Sequence, residues 1–292
     1  MMNWNQLISA KRFGMEEFHE ERQENRSEFQ RDYDRLIFSA PFRRLQNKTQ
    51  VFPLPGSVFV HNRLTHSLEV ASVGRSLGDD VAKALLERHP ELQDSFLPEI
   101  GSIVSAACLA HDLGNPPFGH SGEKAISTFF SEGKGVRLKE KQPNGEQLSP
   151  MEWEDLIHFE GNANAFRILT HQFEGRRKGG FVLTYTTLAS IVKYPFSSSL
   201  AGTKSKFGFF VSEEESFRKI ATELGLILLN EHPLKYARHP LVYLVEAADD
   251  ICYQMMDIED AYKLKILTTE ETKELLMAYF SEERQEHLRK HS

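Results

Sequence analysis

The sequence is poor in cysteine: it has two in 292 residues, Cys108 and Cys252, far apart in apolar stretches. Two distant cysteines exclude a disulfide framework and favour a reducing compartment. The first residues lack the apolar core of a signal peptide, and no stretch has the length of a membrane span. We therefore expect a soluble, cytoplasmic protein.

The chain also has fewer basic than acidic residues. The chain has 35 Lys and Arg residues against 42 Asp and Glu residues, which gives a formal net charge of −7. This balance argues against a surface built for general binding to nucleic acids or membranes. An anionic substrate would instead need a local basic pocket.

Alternating strand patterns are scarce, whereas helical periodicity dominates the chain. Residues 64–77 carry apolar side chains at helical spacing, and 99–113 are apolar nearly all round, as in a buried central helix. Further helices are predicted over 155–173, 181–193, 215–230, 241–265 and 268–290. Polar loops are predicted over 131–150 and 195–212, and the run FGFFVS in the second is compatible with a strand or hairpin edge.

These patterns together predict the fold class. We expect a single all-α domain over 1–292, with a polar insertion near 131–150 and no internal repeat. Residues 270–292 form an amphipathic pattern that ends without a closing signal, as a chain truncated at its C-terminus would.

The stretch CLAHDLGNPPFGHSGE concentrates ionisable side chains where a helix should end. His111 and Asp112 come directly before Gly114 and the pair Pro116-Pro117, which stop helices. Adjacent residues point about 100° apart on an α-helix, so both can reach one ion only near the helix end. The stretch therefore predicts two metal ligands at a helix terminus.

Two further ligands, His66 and Asp249, are predicted on separate core-facing segments. Two imidazoles and two carboxylates suit Mn²⁺, Fe²⁺, Co²⁺, Ni²⁺ or Zn²⁺, and suit Mg²⁺ less well. Each residue also has an ordinary interpretation, since His66 alone is compatible with a core histidine and Asp249 with a solvated helix turn. Asp249, however, follows the largely apolar run LVYLVEAA, where burying an unpaired carboxylate would be costly.

Two pairs at helical spacing suggest chemistry around that ion. His120 and Glu123 are three residues apart, so the carboxylate can fix the tautomer of a proton-transferring imidazole. The alternative for this pair is an ordinary helix N-terminus. Arg63 lies three residues before His66, where its guanidinium can clamp a metal-bound phosphate or simply snorkel to solvent.

Asp249, Tyr253 and Asp257 recur every four residues, which places a metal ligand, an aromatic ring and a second carboxylate on one helix face. The row spans roughly 12 Å at a rise of about 1.5 Å per residue. That length suits phosphate at one end and a sugar at the other. The alternative is a core tyrosine, with Asp257 in solvent beside Glu259 and Asp260.

Five blocks of sequence resemble the HD-domain deoxynucleoside triphosphate triphosphohydrolases, in particular their bacterial deoxyguanosine triphosphatase-like branch. The blocks are RLQNKTQVF (44–52), RLTHS (63–67), HDLGNPPFGHSGE (111–123), HFEGNA (158–163) and EAADD (246–250). The resemblance implies an HD-domain helical bundle that hydrolyses a dNTP to the deoxynucleoside and inorganic triphosphate, with water attacking the α-phosphorus. It also implies one divalent ion per site, with Mn or Mg favoured, and a homo-oligomer such as a hexamer, which a nucleotide or single-stranded DNA regulates in some relatives.

The same resemblance implies roles for individual residues. The implied metal ligands are His66, His111, Asp112 and Asp249. The implied catalytic residues are His120, as a general acid or base oriented by Glu123, and His158 near the phosphates. The implied phosphate-binding residues are Arg63, Lys193 and Tyr194, with the loop lysines Lys204 and Lys206 as further cations. The residues implied to hold the deoxyribose, with the tyrosine ring where a ribose 2′-hydroxyl would lie, are Gln50, Tyr253 and Asp257.

The substrate base and two other functions stay open at the level of sequence. The branch suggests dGTP, although no motif encodes recognition of guanine. One alternative is an HD phosphodiesterase or nucleotidase acting on another phosphate ester, against which the sugar-side residues argue. The other is a catalytically silent regulatory or nucleic-acid-binding HD protein, against which the complete set of candidate ligands and acid–base residues argues.

Overall fold

The computed structural model describes residues 2–17, 26–52, 60–140, 146–175 and 178–291. Its α-helices are α1 (Trp4–Leu7), α2 (Glu28–Ile37), α3 (Ala40–Arg44), α4 (Arg63–Arg88), α5 (Ile100–Ala110), α6 (His120–Ser131), α7 (Pro150–Ile157), α8 (Gly161–Thr170), α9 (Tyr185–Ile191), α10 (Glu214–Glu223), α11 (Val242–Lys263), α12 (Thr269–Met277) and α13 (Glu282–His291). Within the described ranges the only sheet is the antiparallel pair β1 (Leu228–Asn230) and β2 (Lys235–Tyr236). The predicted all-α class is confirmed.

Helices α4 and α5 pack against each other at the centre of the fold. Helix α4 begins with a capping box, in which the Asn62 side chain accepts from the N–H groups of Leu64 and Thr65. In return, the Thr65 hydroxyl oxygen accepts from the N–H of Asn62. Every residue of α5 except Ser102 is buried, as its nearly uniform apolar sequence predicts.

Helices α2, α9 and α11 surround α5, and α11 also packs along α4. This arrangement brings together the three segments that carry the predicted metal ligands, namely the start of α4, the end of α5 and the middle of α11. Among the described residues, no helix has an apolar stretch long enough to cross a lipid bilayer.

The helix predicted over 155–173 is interrupted. It consists of α7 and α8, which are separated at residues 158–160. Glu160 is the N-cap of α8, and its carboxylate accepts hydrogen bonds from the N–H groups of Asn162 and Ala163. The acidic cap therefore starts a new helix where helical periodicity alone predicted a continuous one.

Two other predicted helices are shorter than expected. The helix predicted over 215–230 ends at Glu223, after which Gly225 adopts a φ of +66° and the chain enters β1. The helix predicted over 268–290 is divided into α12 and α13. Both errors occur at turns inside a sequence that keeps its helical periodicity.

The strand predicted at FGFFVS is wrong, and the short hairpin lies at β1 and β2 instead. Phe207 and Phe210 are buried in a second, small apolar cluster. The N–H of Gly208 donates to the carbonyl of Phe196, which fixes the segment as a packed loop. A short apolar run fits a buried loop as well as a strand, so its composition did not distinguish them.

Both predicted polar loops contain 3-10 turns. The loop over 131–150 includes the turn Lys134–Lys139, whereas its residues 141–145 lie outside the described part of the chain. The loop over 195–212 runs through the turns Ser198–Leu200, Gly202–Lys204 and Val211–Glu213. That the chain forms a single domain stays a prediction.

Candidate active site

His111 lies at the point where α5 ends, as the sequence predicts. It follows Ala110, the last residue of the helix, and the chain then turns through residues 111–114. Its Nδ1–H donates to the carbonyl of Cys108 at 2.6 Å, which leaves Nε2 as the ring nitrogen that a metal ion could bind. That Nε2 is buried and has no hydrogen-bond partner among the described residues, as expected of an atom that binds a metal ion.

The predicted ligands converge from three elements. Ligand atoms of His66, His111 and Asp112 all lie within 4.8 Å of one another. On α11, Asp249 lies beside this group, with its Oδ1 2.9 Å from His66 Nε2 and 3.5 Å from His111 Nε2. The nitrogen and oxygen donors therefore fit a divalent cation.

The imidazoles and carboxylates of this group shift each other's pKa values. Burial alone would raise the pKa of Asp249, but the charge of His111 and the hydrogen bond from His66 hold it far below its ordinary value. Burial alone would lower the pKa of His111, but the carboxylates of Asp112 and Asp249 raise it to about 9. The raised pKa of His111 reflects the negative charge of the two neighbouring carboxylates, and the lowered pKa of Asp249 keeps its carboxylate ionised, so that it can bind a cation.

The Asp112 carboxylate is oriented through both of its oxygens. Arg63 donates to Oδ2 at 2.8 Å, and the side-chain amide of Asn115 donates to Oδ1. The turn that follows needs glycine, because a Cβ at Gly114 would lie 2.0 Å from the carbonyl oxygen of Gly161. Glycine in the turn after α5 thus lets α8 approach the candidate metal ligands.

Arg63 is buried, with 6 % of its surface exposed, so its guanidinium does not snorkel to solvent. Its Nη2 packs against Gly119, where an added Cβ would lie only 2.7 Å away. Gly119 also has a φ of +53°, a conformation that favours glycine. Arg63 Nε is buried without a hydrogen-bond partner among the described residues. The guanidinium therefore lies between Asp112 and the start of α6.

The predicted contact between His120 and Glu123 does not form in this structure. His120 is exposed at the first position of α6, whereas Glu123 is buried. One Glu123 oxygen accepts from the N–H of Gly161 at 2.8 Å, and the other lies 3.5 Å from Lys206 Nζ. Gly119, the N-cap of α6, offers no side-chain cap. Glu123 therefore ties α6 to α8 and to the loop over 195–212.

Sequence reasoning missed the partner of Lys206. Its Nζ donates to the fully buried Glu160 at 2.8 Å, so the lysine is shared by two carboxylates. Burial alone would lower the pKa of Lys206, but the Glu160 charge and hydrogen bond raise it. The signal was present, since Glu160 belongs to the HFEGNA block. The side chain of Lys204 lies outside the described part of the structure.

His158 caps the C-terminus of α7 and is half-buried. Its Nδ1 lies 3.0 Å from the Ser205 hydroxyl oxygen, and its Nε2 lies 3.3 Å from a Glu154 oxygen. Ser205 belongs to the same loop as Lys206. The loop over 195–212 is therefore joined to the candidate site by two separate polar contacts.

Lys193 and Tyr194 lie beside α11, one turn before Asp249. Lys193 Nζ is 2.9 Å from one oxygen of Glu246, and Arg238 donates to the other oxygen at 2.9 Å. Both cations lie over the Tyr194 ring, at 5.8 and 5.7 Å from its centroid. Burial alone would lower the pKa of Lys193, but Glu246 and more distant negative groups, Asp249 among them, raise it.

The two predicted sugar-side residues of α11 are accessible. Tyr253 is 42 % exposed, which contradicts a core tyrosine, and Asp257 is half-buried. Burial and the charge of Asp257 raise the pKa of Tyr253, while Arg63 acts in the opposite direction. Gln50 carries a buried Oε1 that has no partner among the described residues.

The chain is similar to several known proteins. The HD domain family model matches residues 63–177. Over 284 residues, the chain is 46% identical to a deoxyguanosinetriphosphate triphosphohydrolase-like protein of Pseudomonas aeruginosa, covering 94% of this chain and 61% of the relative. A protein of the same name from Synechocystis sp. is 45% identical over 275 residues, 91% of this chain and 61% of the relative.

A third relative carries the name without "like". The deoxyguanosinetriphosphate triphosphohydrolase of Yersinia enterocolitica is 36% identical over 304 aligned residues, which cover 92% of this chain and 57% of the relative. The chain thus spans about three fifths of the length of these curated relatives. Together with the HD match, these similarities support the assignment of the chain to the HD-domain deoxynucleoside triphosphate triphosphohydrolase family.

Proposed function

We propose that this protein hydrolyses a dNTP to the deoxynucleoside and inorganic triphosphate, using a divalent ion held by His66, His111, Asp112 and Asp249. The observation that carries the proposal is the convergence of these donors, three of which lie within 4.8 Å of one another. The Nε2 of His111 supports a metal ligand, because this nitrogen is buried without a hydrogen-bond partner among the described residues. The mixed nitrogen and oxygen set favours Mn²⁺ or a similar ion over Mg²⁺.

A divalent ion bound there supplies Lewis-acid polarisation of a phosphate oxygen and a more acidic water. The chain's own residues then have to position the triphosphate. Arg63 is fixed by Asp112 and has an unsatisfied Nε, so it can bind phosphate oxygens through its remaining N–H groups. Lys193 and the Tyr194 hydroxyl, one helical turn before Asp249, are suited to bind phosphate oxygens at the same end.

His120 is proposed as the general acid. Water attacks the α-phosphorus, the bond from phosphorus to the 5′-oxygen breaks, and the leaving oxygen takes a proton that His120 can donate. The exposed position of His120, directly after the glycine against which Arg63 packs, supports this role. Such positioned proton transfer contributes about 10²- to 10⁴-fold. His158 and Glu123 are proposed to act from the side of the site formed by α8 and the loop over 195–212. His158 contacts this loop at Ser205, and Glu123 contacts Gly161 and Lys206.

The sugar is proposed to lie along α11 beyond the metal ligands. Tyr253 presents an exposed ring one turn after Asp249, where it would exclude a 2′-hydroxyl by contact. Asp257 can accept a hydrogen bond from a sugar hydroxyl. The Oε1 of Gln50 is buried without a hydrogen-bond partner among the described residues, which supports a polar ligand beside it.

Product identity tests the proposal. The purified protein is incubated with each dNTP and Mn²⁺, and the products are resolved by ion-exchange chromatography. Inorganic triphosphate is the expected product, and its ratio among the four dNTPs reports whether dGTP is preferred. Release of orthophosphate or pyrophosphate would instead indicate the phosphodiesterase or nucleotidase alternative. Absence of turnover with Mn²⁺, Fe²⁺, Co²⁺ and Mg²⁺ would favour the catalytically silent alternative.

Assembly and location are proposed on the resemblance alone. We propose a homo-oligomer in the cytoplasm, with a nucleotide or single-stranded DNA as a candidate regulator. Light scattering coupled to gel filtration, with and without dNTP or an oligonucleotide, measures the assembly. A monomer under all of these conditions would contradict it.

A further inference from the structure

A pair of buried side chains outside the proposed site joins α4 to α11. His61, just before α4, is 6 % exposed, and Asp260, in the last turn of α11, is 3 % exposed. The Asp260 carboxylate accepts two hydrogen bonds from His61, one from the backbone N–H at 2.9 Å and one from ring Nδ1 at 2.8 Å. The two residues are 199 positions apart in the chain, so the contact depends entirely on the fold.

The second ring nitrogen of His61 is also engaged. Its Nε2 lies 3.1 Å from Glu69 Oε1, on the second turn of α4. The imidazole is therefore held by α11 on one side and by α4 on the other, which fixes both its position and its ring orientation. The contact with Asp260 is the more buried of the two, because the Glu69 side chain is 45% exposed.

This pair lies close to the sugar-side residues. Asp260 follows Asp257 by three residues, which places the two carboxylates on neighbouring positions of one helix face. Burial and the Asp260 charge raise the pKa of Asp257, while His66 and His61 act in the opposite direction. His61 precedes Arg63 by two residues. The pair therefore links the segment that carries Arg63 to the turn of α11 that carries Asp257.

We propose that the His61–Asp260 pair is a positioning device that sets Tyr253 and Asp257 relative to Arg63 and thereby sets the discrimination between deoxyribose and ribose. The inference rests on the proposed function, since it assigns the sugar to this face of α11. Exclusion of a 2′-hydroxyl depends on a contact distance, and a misplacement of about 1 Å can change such interactions by about 10²-fold. Two hydrogen bonds to a buried carboxylate oppose sliding of one helix along the other.

The substitution Asp260→Asn tests this role. An amide can accept only one of the two N–H groups of His61 and turns its own NH₂ toward the other. The measurement is equilibrium binding of dGTP and GTP to the full chain in EDTA, so that turnover plays no part. We expect the ratio of the GTP to the dGTP dissociation constant to fall by about 10-fold. If Asp260→Asn does not fold, His61→Gln replaces it, because this variant keeps the backbone hydrogen bond to Asp260. The same fall in the ratio of dissociation constants is expected.

A matched control separates positioning from general destabilisation. Asp32 is fully buried and bonded to Arg12 at 2.7 Å, away from the candidate site. We expect Asp32→Asn to lower the melting temperature while leaving the ratio of dissociation constants unchanged. Hydrogen exchange in α11 should rise in Asp260→Asn and stay unchanged in the control.

Three results would overturn the inference. They are an unchanged ratio in Asp260→Asn, an equal fall in the Asp32→Asn control, and a wild-type protein without preference for dGTP over GTP. Failure of the proposed function is recognised separately, as the absence of inorganic triphosphate among the wild-type products. The binding ratio in EDTA does not depend on that reaction.

Discussion

His239, between β2 and α11, is buried in a way that makes stability depend on pH. Its Nε2–H donates to the Leu7 carbonyl at 3.1 Å, and its Nδ1 accepts from the N–H of Leu241 at 3.2 Å. A second proton on Nδ1 would face that N–H, so the fold requires a neutral imidazole. Burial lowers the pKa of His239 from 6.5 to about 4, although the hydrogen bond to Leu7 acts in the opposite direction.

The sign and size of the effect follow from proton linkage. Between the folded and unfolded pKa values of His239, about 4 and 6.5, the unfolded chain binds a proton that the folded chain does not. The contribution to stability is therefore complete above the unfolded pKa and is lost as pH falls toward the folded pKa. At about 1.36 kcal/mol per pKa unit, the full difference is about 3 kcal/mol. About 2.5 kcal/mol of it is lost by roughly pH 4.5.

Urea unfolding, followed by far-UV circular dichroism in EDTA, measures this effect. His239→Gln is the comparison, because glutamine can donate to the Leu7 carbonyl without titrating. We expect the stability of the wild type relative to this variant to fall by about 2.5 kcal/mol between roughly pH 7.5 and 4.5. Taking the difference cancels the other titrating groups. A constant difference over this range would refute the reasoning.

Three further predictions concern the candidate site. His111→Ala is expected to weaken Mn²⁺ binding by more than about 100-fold in equilibrium dialysis. The control His89→Ala, at an exposed histidine, should retain the ion. Full Mn²⁺ binding by His111→Ala would remove His111 from the ligand set. Tyr253→Ala is expected to raise kcat/KM for GTP relative to dGTP by about 10-fold, and unchanged selectivity would exclude the ring from sugar discrimination. Gly114→Ala is expected to lower the free energy of unfolding, measured in urea, by about 3 kcal/mol, because the added Cβ would lie 2.0 Å from the Gly161 carbonyl oxygen. A variant as stable as the wild type would contradict that contact.

Local patterns predicted the parts of the site that depend on a single element. Gly114 and the prolines after it predicted a helix end nearby, and α5 does end at Ala110, directly before His111 and Asp112. The period of the α-helix likewise placed Asp249 and Tyr253 on one face of α11. These predictions needed only helix geometry.

Patterns of the same kind failed where several structures suit one sequence. Helical periodicity continued across Glu160, yet that residue caps a new helix. The run FGFF is apolar enough for a strand, yet its side chains are buried in a loop. The first outcome depends on a side-chain cap that periodicity does not report, and the second on which surface is available to bury the phenylalanines, which comes from distant parts of the chain.

The sequence by itself determined the helical class, the helix stop at His111 and the set of side chains capable of binding a metal and a phosphate. Only the tertiary structure decided how these side chains pair. In the structure Glu123 contacts Gly161 and Lys206 instead of His120. Asp260 is buried against His61, which is 199 residues away in the chain. The physical reason is that a helix period fixes neighbours three and four residues apart, whereas ion pairs between helices depend on how their faces pack.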